Sequence, residues 1–339
     1  MSPQWKDFLA RQGLAADAES FGDQSAELTA ARDATILVPL ADQGVLRATG
    51  EEAADFLHNL LTNDIKNLAA DGQRFAGMCT AKGRLLATFR IWREADALML
   101  AVAADILPAM LKKLSMYVLR SKVKLADAGD EVVLLGLSGP DAPAALAGIG
   151  AQVPAAMQSS AVDGGRVLGI DRNRFMLALS PAAGIDTWPR LAANAKPAGL
   201  AAWRWLDIAA GQPRVDARTQ EAFVPQMMNM ELPAVGGVVF TKGCYPGQEI
   251  VARTQYLGKV KRRMYRAKLD SASVPGTDVF TPESGDQHCG ALVSVAPSPA
   301  GAYECLVVVQ SSGADAGEIH VGSPSGPRLQ LLSLPYAVD

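Results

Sequence analysis

The sequence predicts an α+β fold of two similar layers, followed by a small antiparallel β-barrel, and three observations carry that expectation. Over residues 34–255, segments come in the order strands, helix, hairpin, helix, and that order then nearly repeats. Composition shifts after Arg253: seven basic residues (Arg253, Lys259, Lys261, Arg262, Arg263, Arg266, Lys268) and no acid lie between Arg253 and Lys268. Residues 265–339 are strand-like between Pro and Gly turns, the pattern of a small barrel. At 339 residues with 49% hydrophobic content, the chain can fill two or three cores. The boundaries drawn are a lead-in over 1–33, two related subdomains at about 34–130 and 131–255, and a barrel domain over 256–339.

Residues 1–33, rich in Ala, Asp and Gln with one short amphipathic stretch near Trp5 and Leu9, read as a loosely attached segment. Residues 35–40 and 45–48 read as strands. Thr49-Gly50-Glu51-Glu52 has the form of a capping box. It opens a helix with Ala53, Phe56, Leu57, Leu60 and Leu61 on one face, which stops at Thr62-Asn63-Asp64. Residues 75–93 read as two strands joined at Ala81-Lys82-Gly83-Arg84. A helix from Asp105, with Pro108 in its first turn, turns Leu107, Leu111, Leu114 and Val118 inward. Its basic end, Arg120, Lys122 and Lys124, suits the negative pole of a helix.

Residues 132–137 form the next strand, and Ser138-Gly139-Pro140-Asp141 opens a short Ala-rich helix. Residues 166–170 and 174–179 pair as a hairpin, and a helix covers about 187–195. Trp203, Arg204, Trp205 and Asp207 precede Gly211-Gln212-Pro213, and the two tryptophans suit either packing between domains or a wall for a flat heterocycle. On a strand over 262–269, Arg262, Met264, Arg266 and Lys268 share one face and Tyr265, Ala267 and Leu269 the other. That basic face is either solvated or a rim that holds carboxylates. Residues 290–295, 303–309 and 328–332 supply further barrel strands.

Composition narrows function. With 20% charged residues and a net charge of −3, nothing global calls for DNA or an anionic membrane. Residues 1–9 carry Gln4, Lys6 and Asp7 without an apolar run, so no secretory signal is expected, and apolar runs such as 132–135 are too short to span a bilayer. Cys79, Cys244, Cys289 and Cys305 are widely spaced without a Cys-x-x-Cys, which suits reduced thiols in a cytoplasmic protein. His58, His288 and His320 are scattered, and no metal or cluster site is written in a recognised spacing.

The densest chemistry lies in residues 240–254. Tyr245-Pro246-Gly247-Gln248 reads as a tight turn, with Pro setting φ at its second position and Gly accepting a positive φ at its third. A helix then starts at Gln248, with Glu249 and Arg253 one turn apart. Cys244 thus lies near a helix start and two residues from Lys242, both of which favour thiolate over thiol. A cysteine in a turn is also commonly a small buried hydrophobe.

Lys-Gly-Cys-Tyr-Pro-Gly-Gln-Glu, residues 242–249, resembles the signature of the YgfZ-type folate-binding proteins. These are relatives of the glycine-cleavage aminomethyltransferase (T-protein) implicated in iron–sulfur cluster assembly or repair. Phe-Leu-His-Asn-Leu-Leu-Thr-Asn-Asp, residues 56–64, and the run from Pro225-Gln226 to Asn229 resemble the same families, and the likeness extends more weakly over most of the chain. The resemblance implies a T-protein-like, multi-subdomain folate-binding fold, with tetrahydrofolate or a one-carbon derivative as cofactor. Together with residue types, it places Trp203 or Trp205, Asn63, Asp207 and Gln226 at the pterin, and Arg84 and the basic run from Arg253 near the glutamate tail. Tyr245, Gln248, Glu249 and Arg253 complete the cofactor loop, with Glu249 and Arg253 as braces, and Cys244 with Lys242 as the reactive pair.

Two departures qualify the resemblance. The T-protein family has an aspartate pair where this chain has Ala87 and Thr88, and a glutamate where it reads Ile208-Ala209-Ala210-Gly211. Ordinary aminomethyl transfer then lacks an evident acid–base group. The leading expectation is a tetrahydrofolate-binding protein that supports iron–sulfur cluster assembly or repair in client enzymes through Cys244, with folate and iron–sulfur client or assembly proteins as partners. A folate-dependent one-carbon transferase with an unidentified acceptor is the alternative, so enzyme status stays open. A docking module using the Arg253–Lys268 face comes third, with RNA ranked last because the charge is local and the chain as a whole acidic.

Overall fold

A computed structural model describes residues 2–256, 258 and 260–338. The larger sheet has six strands in the order Lys196–Pro197, Ile36–Pro39, Val133–Ser138, Arg174–Leu179, Gly165–Gly169, Ser159–Val162. Its three central strands are buried along their whole length, so they read as near-continuous apolar runs. A five-stranded sheet follows the order Gln73–Cys79, Leu85–Glu94, Ala97–Ala103, Gln43–Thr49, Lys124–Asp127. The last part closes as a six-stranded antiparallel barrel: Arg262–Leu269, Tyr303–Gln310, Gly290–Pro297, Asp278–Phe280, Ile319–Val321, Arg328–Leu332. The predicted α+β architecture with a C-terminal barrel is the one observed.

The chain divides into two compact units that interleave segments the sequence reading kept in continuous blocks. One comprises Met1–Leu57, Ile65–Arg74 and Phe89–Trp203; the other comprises His58–Asp64, Phe75–Thr88 and Arg204–Asp339.

In the first unit, the core sets Leu37, Leu135, Phe175 and Leu177 of the large sheet against Leu146, Trp188 and Leu191. Trp5 and Leu9 belong to that core too, from the helix Pro3–Arg11. Trp5 stacks on Phe8 with centroids 5.4 Å apart and meets Trp188 edge-on at 6.0 Å. The lead-in is therefore not loose. Its composition is polar, but Trp5, Phe8 and Leu9 form one apolar stripe. Glu27, in the helix Gln24–Asp33, is buried and accepts from the N–H groups of Phe21 (2.6 Å) and Gly199 (2.8 Å). Burial holds its carboxyl above the usual range, with those bonds opposing.

Several local expectations change. The helix is short, Ala53–His58, and Thr49 Oγ1 lies 3.5 Å from the Lys124 carbonyl oxygen. Ala53 N–H donates to the Gly50 carbonyl, and the Glu52 carboxylate accepts instead from Lys122 N–H (2.5 Å). Leu60 and Leu61 are buried beyond its end. Helix Leu107–Val118 buries Leu107, Met110 and Leu114, while Leu111 and Val118 are half-buried. It ends where Leu119 takes φ 42°, so Lys122 and Lys124 do not cap it. Lys122 pairs with exposed Glu51 (2.9 Å), and Lys124 opens a sheet strand. The helix expected at 187–195 runs Pro181–Ala192, because Ser180 caps its N-terminus, accepting from Ala183 N–H at 3.3 Å.

In the barrel, Ala267, Leu269, Leu292, Cys305, Val307, Val309 and Ile319 fill the interior. The basic strand keeps its predicted alternation at Ala267 and Leu269, but Met264 on the opposite face is also buried. Carboxylates of the chain itself occupy much of the expected rim. Arg266 holds Glu304 (Nε 2.8 Å, Nη2 2.6 Å), Arg263 holds Glu231, and Lys268 lies 3.4 Å from Asp270. Lys259 lies outside the described residues. Among the described residues, no group of three metal-ligating side chains gathers, and no helix is long and apolar enough to cross a membrane.

Candidate functional site

The site is built by turns of the second unit. Gln248 N–H donates to the Tyr245 carbonyl (3.1 Å) and Gly247 has φ 81°, the predicted turn. Helix Gln248–Tyr256 follows, anchored by fully buried Val251. The turn sits directly on the one at residues 80–84. A Cβ at Gly247 would lie 2.3 Å from the Thr80 carbonyl oxygen and 2.7 Å from Gly83 Cα. Gly83, at φ 72°, lies in turn against Ile250. Two glycine turns thus meet where neither tolerates a side chain.

Residues 58–64 pass the other side. Lys242 Nζ donates to the carbonyls of His58 and Leu61 (the latter 2.6 Å) and stands 4.8 Å from the centre of the Tyr245 ring. Burial lowers its amine to about 8, with Asp64 and Cys244 pulling the other way. Tyr245 is buried, and its phenol is pushed up by burial and by Cys79. His58 Nδ1 lies 3.0 Å from Asp64 Oδ1. Cys244 is exposed, while Cys79, Cys289 and Cys305 are buried and all four are free thiols. Burial pushes the Cys79 thiol up to about 12.

Asn63, expected at a pterin, is engaged elsewhere. Its Nδ2 donates to the carbonyls of Phe75 and Gly236 (both 2.8 Å), and its Oδ1 accepts from Asp64 N–H (2.7 Å). Thr62 does similar work, donating to the Gly237 carbonyl (2.6 Å) and accepting from Gly77 N–H (2.7 Å). Both brace the loop. Arg84 donates to the Ala222 carbonyl. Glu249 and Arg253 are exposed, and no ion pair joins them among the described residues; Gln248 is half-buried. Asp207 is half-buried and already partnered.

The two tryptophans separate. Trp203 belongs to the first unit, where its ring lies against Gly136, so that a Cβ there would come within 2.4 Å, and Arg174 sits 5.7 Å from its centre. Packing accounts for Trp203. Trp205 belongs to the second unit, and its buried Nε1 has no hydrogen-bond partner among the described residues. Gln226 is fully buried; its Nε2 donates to the Val251 carbonyl (2.6 Å), while its Oε1 has no partner among the described residues.

Sequence reasoning missed His58 and Asp64 as side chains of the site, although both lie in the quoted stretch 56–64. Their spacing of six carries no periodic signal, and only the fold of the loop pairs them.

Residues 6–172 match the model of the GCVT N-terminal domain. The tRNA-modifying protein YgfZ of Serratia proteamaculans (strain 568) is 30% identical over 308 residues, covering 89% of this chain and 92% of that protein. Its counterpart in Sodalis glossinidius (strain morsitans) is 30% identical over 309 residues, covering 89% and 93%. The chain belongs to the YgfZ family. The crystal structure of glycine cleavage system aminomethyltransferase T from Bartonella henselae shares the fold, with a TM-score of 0.78 at 19% identity over 99% of this chain and 98% of that one. Within this T-protein-like fold, the YgfZ-family chain carries Ala87 and Thr88 buried in a strand, and Thr88 Oγ1 accepts from Val215 N–H (3.2 Å).

Proposed function

We propose that this YgfZ-family protein binds tetrahydrofolate or a one-carbon derivative in its second unit and, through Cys244, supports assembly or repair of iron–sulfur clusters in client enzymes. One observation carries the folate reading. Trp205 Nε1, a donor, and Gln226 Oε1, an acceptor, are buried without partners among the described residues. Buried polar groups are nearly always satisfied, so orphans call for a ligand or water. A pterin edge offers both a donor and an acceptor. Gln212 Nε2 and Glu231 Oε2 of the same unit are orphaned as well. Lys242 and Arg84 supply cations in the same unit, although each already donates to protein carbonyls. Aminomethyl transfer is the weaker alternative, because Ala87 and Thr88 offer no carboxylate.

The relatives' name, tRNA-modifying protein, favours clients that modify tRNA, in a cytoplasmic setting. The test is a strain lacking the protein, read by the activity of an iron–sulfur enzyme. Cys244→Ser is expected to fail to restore activity, while Cys79→Ala restores it. Equal rescue by both variants contradicts the assignment of Cys244. Filter binding of tRNA at low and high salt tests direct contact, which this reading does not require.

A further inference from the structure

We infer that the end of helix Leu107–Val118 and the turn after it form a docking surface for an acidic protein partner, centred on Leu119. Three of the seven large apolar side chains exposed among the described residues crowd into residues 116–119: Met116 at 62%, Tyr117 at 42% and Leu119 at 88%. Single exposed apolar groups are ordinary, whereas a contiguous cluster marks an interface. The helix turns Leu107, Met110 and Leu114 inward, so the cluster is not part of the face that packs on the fold. Leu119 also carries backbone strain. It takes φ 42°, a region that favours glycine, while its side chain stays in water. Strain of this kind gathers at sites that clamp a ligand or partner. Beside it lies an open hollow of about 630 Å³, lined by Glu52, Tyr117, Leu119, Arg120 and Ser121.

Charge decides the kind of partner. Between Asp105 and Asp127 lie five basic residues, Lys112, Lys113, Arg120, Lys122 and Lys124, and no acid. Lys122 is taken by Glu51 (2.9 Å), and Glu52 accepts from the Lys122 N–H (2.5 Å). Lys112, Lys113, Arg120 and Lys124 have no ion-pair partner among the described residues. Lys112 and Met116 stand one helical turn apart, as do Lys113 and Tyr117, so cations border the apolar centre. An apolar centre within a polar rim is the anatomy of a protein interface, and carboxylates of the partner complete this rim. A second copy docked face to face would oppose the same cations across the two-fold axis. Nucleic acid would answer the cations through its phosphates but leave aliphatic Met116 and Leu119 without an apolar partner.

The surface belongs to the first unit, whereas the folate and Cys244 readings concern the second, so the two stand or fall separately. A photocrosslinking amino acid at position 116 of the full chain, irradiated in the cells that make the protein, tests it. Mass spectrometry then identifies the adduct and the crosslinked peptide. The expected result is a protein adduct whose crosslinked peptide is rich in Asp and Glu. Its yield should fall about fivefold or more with Lys112→Glu, Lys113→Glu and Arg120→Glu combined, and likewise with Leu119→Gly. Leu119→Gly relieves the backbone at φ 42° and should melt no lower than the natural chain, which separates lost docking from a lost fold. If it does melt lower, the charge reversal alone decides. An adduct that survives the charge reversal overturns the inference, as does one that survives Leu119→Gly. So do a crosslinked peptide without acidic residues, an adduct with nucleic acid, lipid or a second copy, and no adduct at all.

Discussion

At the scale of single residues, Lys242 is the most informative group. Its half-buried ammonium serves two carbonyls, and burial brings its amine to about 8 from an ordinary 10.5. The unfolded chain then binds more protons than the folded one between those values. Stability contributed at this position is therefore lowest below pH 8 and rises with pH through the window to 10.5. Lys242→Met removes this titration. The melting temperature of the natural chain should rise relative to Lys242→Met as pH goes from 8 toward 10.5, and a constant difference across that range would count against the buried ammonium. Lys242, Cys244, Trp205 and Gln226 stand out in the sequence because each is a polar or aromatic group in a motif-bearing stretch, and their roles at a site are the proposal made above. Asn63 was legible as important but not in its role, because a buried amide that braces a loop and one that reads a ligand look alike in sequence. His58 and Asp64 were not legible, since their pairing depends on how the loop closes.

At the scale of elements, two turns meeting glycine to glycine make the platform on which Cys244 and the helix Gln248–Tyr256 stand. Gly247→Ala places a Cβ at φ 81° and 2.3 Å from the Thr80 oxygen. Strain plus displacement should cost roughly 2–4 kcal/mol in urea unfolding. Gly148→Ala, in a helix where nothing lies within 4 Å, should be neutral or slightly stabilising. Equal effects at both positions would mean that the turns do not bear on each other. The turn at 245–248 was legible because Pro and Gly fix its dihedral angles locally. The short helix Ala53–His58 and the fate of Lys124 were not, because side-chain and strand partners some 70 residues away in sequence decide them. Local capping signals compete with such partners and lose to them here.

At the scale of the whole molecule, the barrel was legible from its alternation and turns, and the α+β plan from its repeated order of elements. The interleaving of the two units was not, since it depends on where the chain at residues 58–64 and 75–88 packs, which no local pattern encodes. The polar composition of residues 1–33 likewise concealed a stripe, Trp5 and Leu9, that completes a core. Membership of the YgfZ family and the T-protein-like fold frame the molecule. In the proposed reading, the second unit holds a folate by its orphaned polar atoms. Calorimetric titration with tetrahydrofolate and its formyl derivative, on the natural chain and on Trp205→Phe and Gln226→Leu, tests it directly. Saturable binding is expected, weakened by each substitution about tenfold, or about 1.4 kcal/mol. No heat with either folate, or binding unchanged by both substitutions, would contradict it.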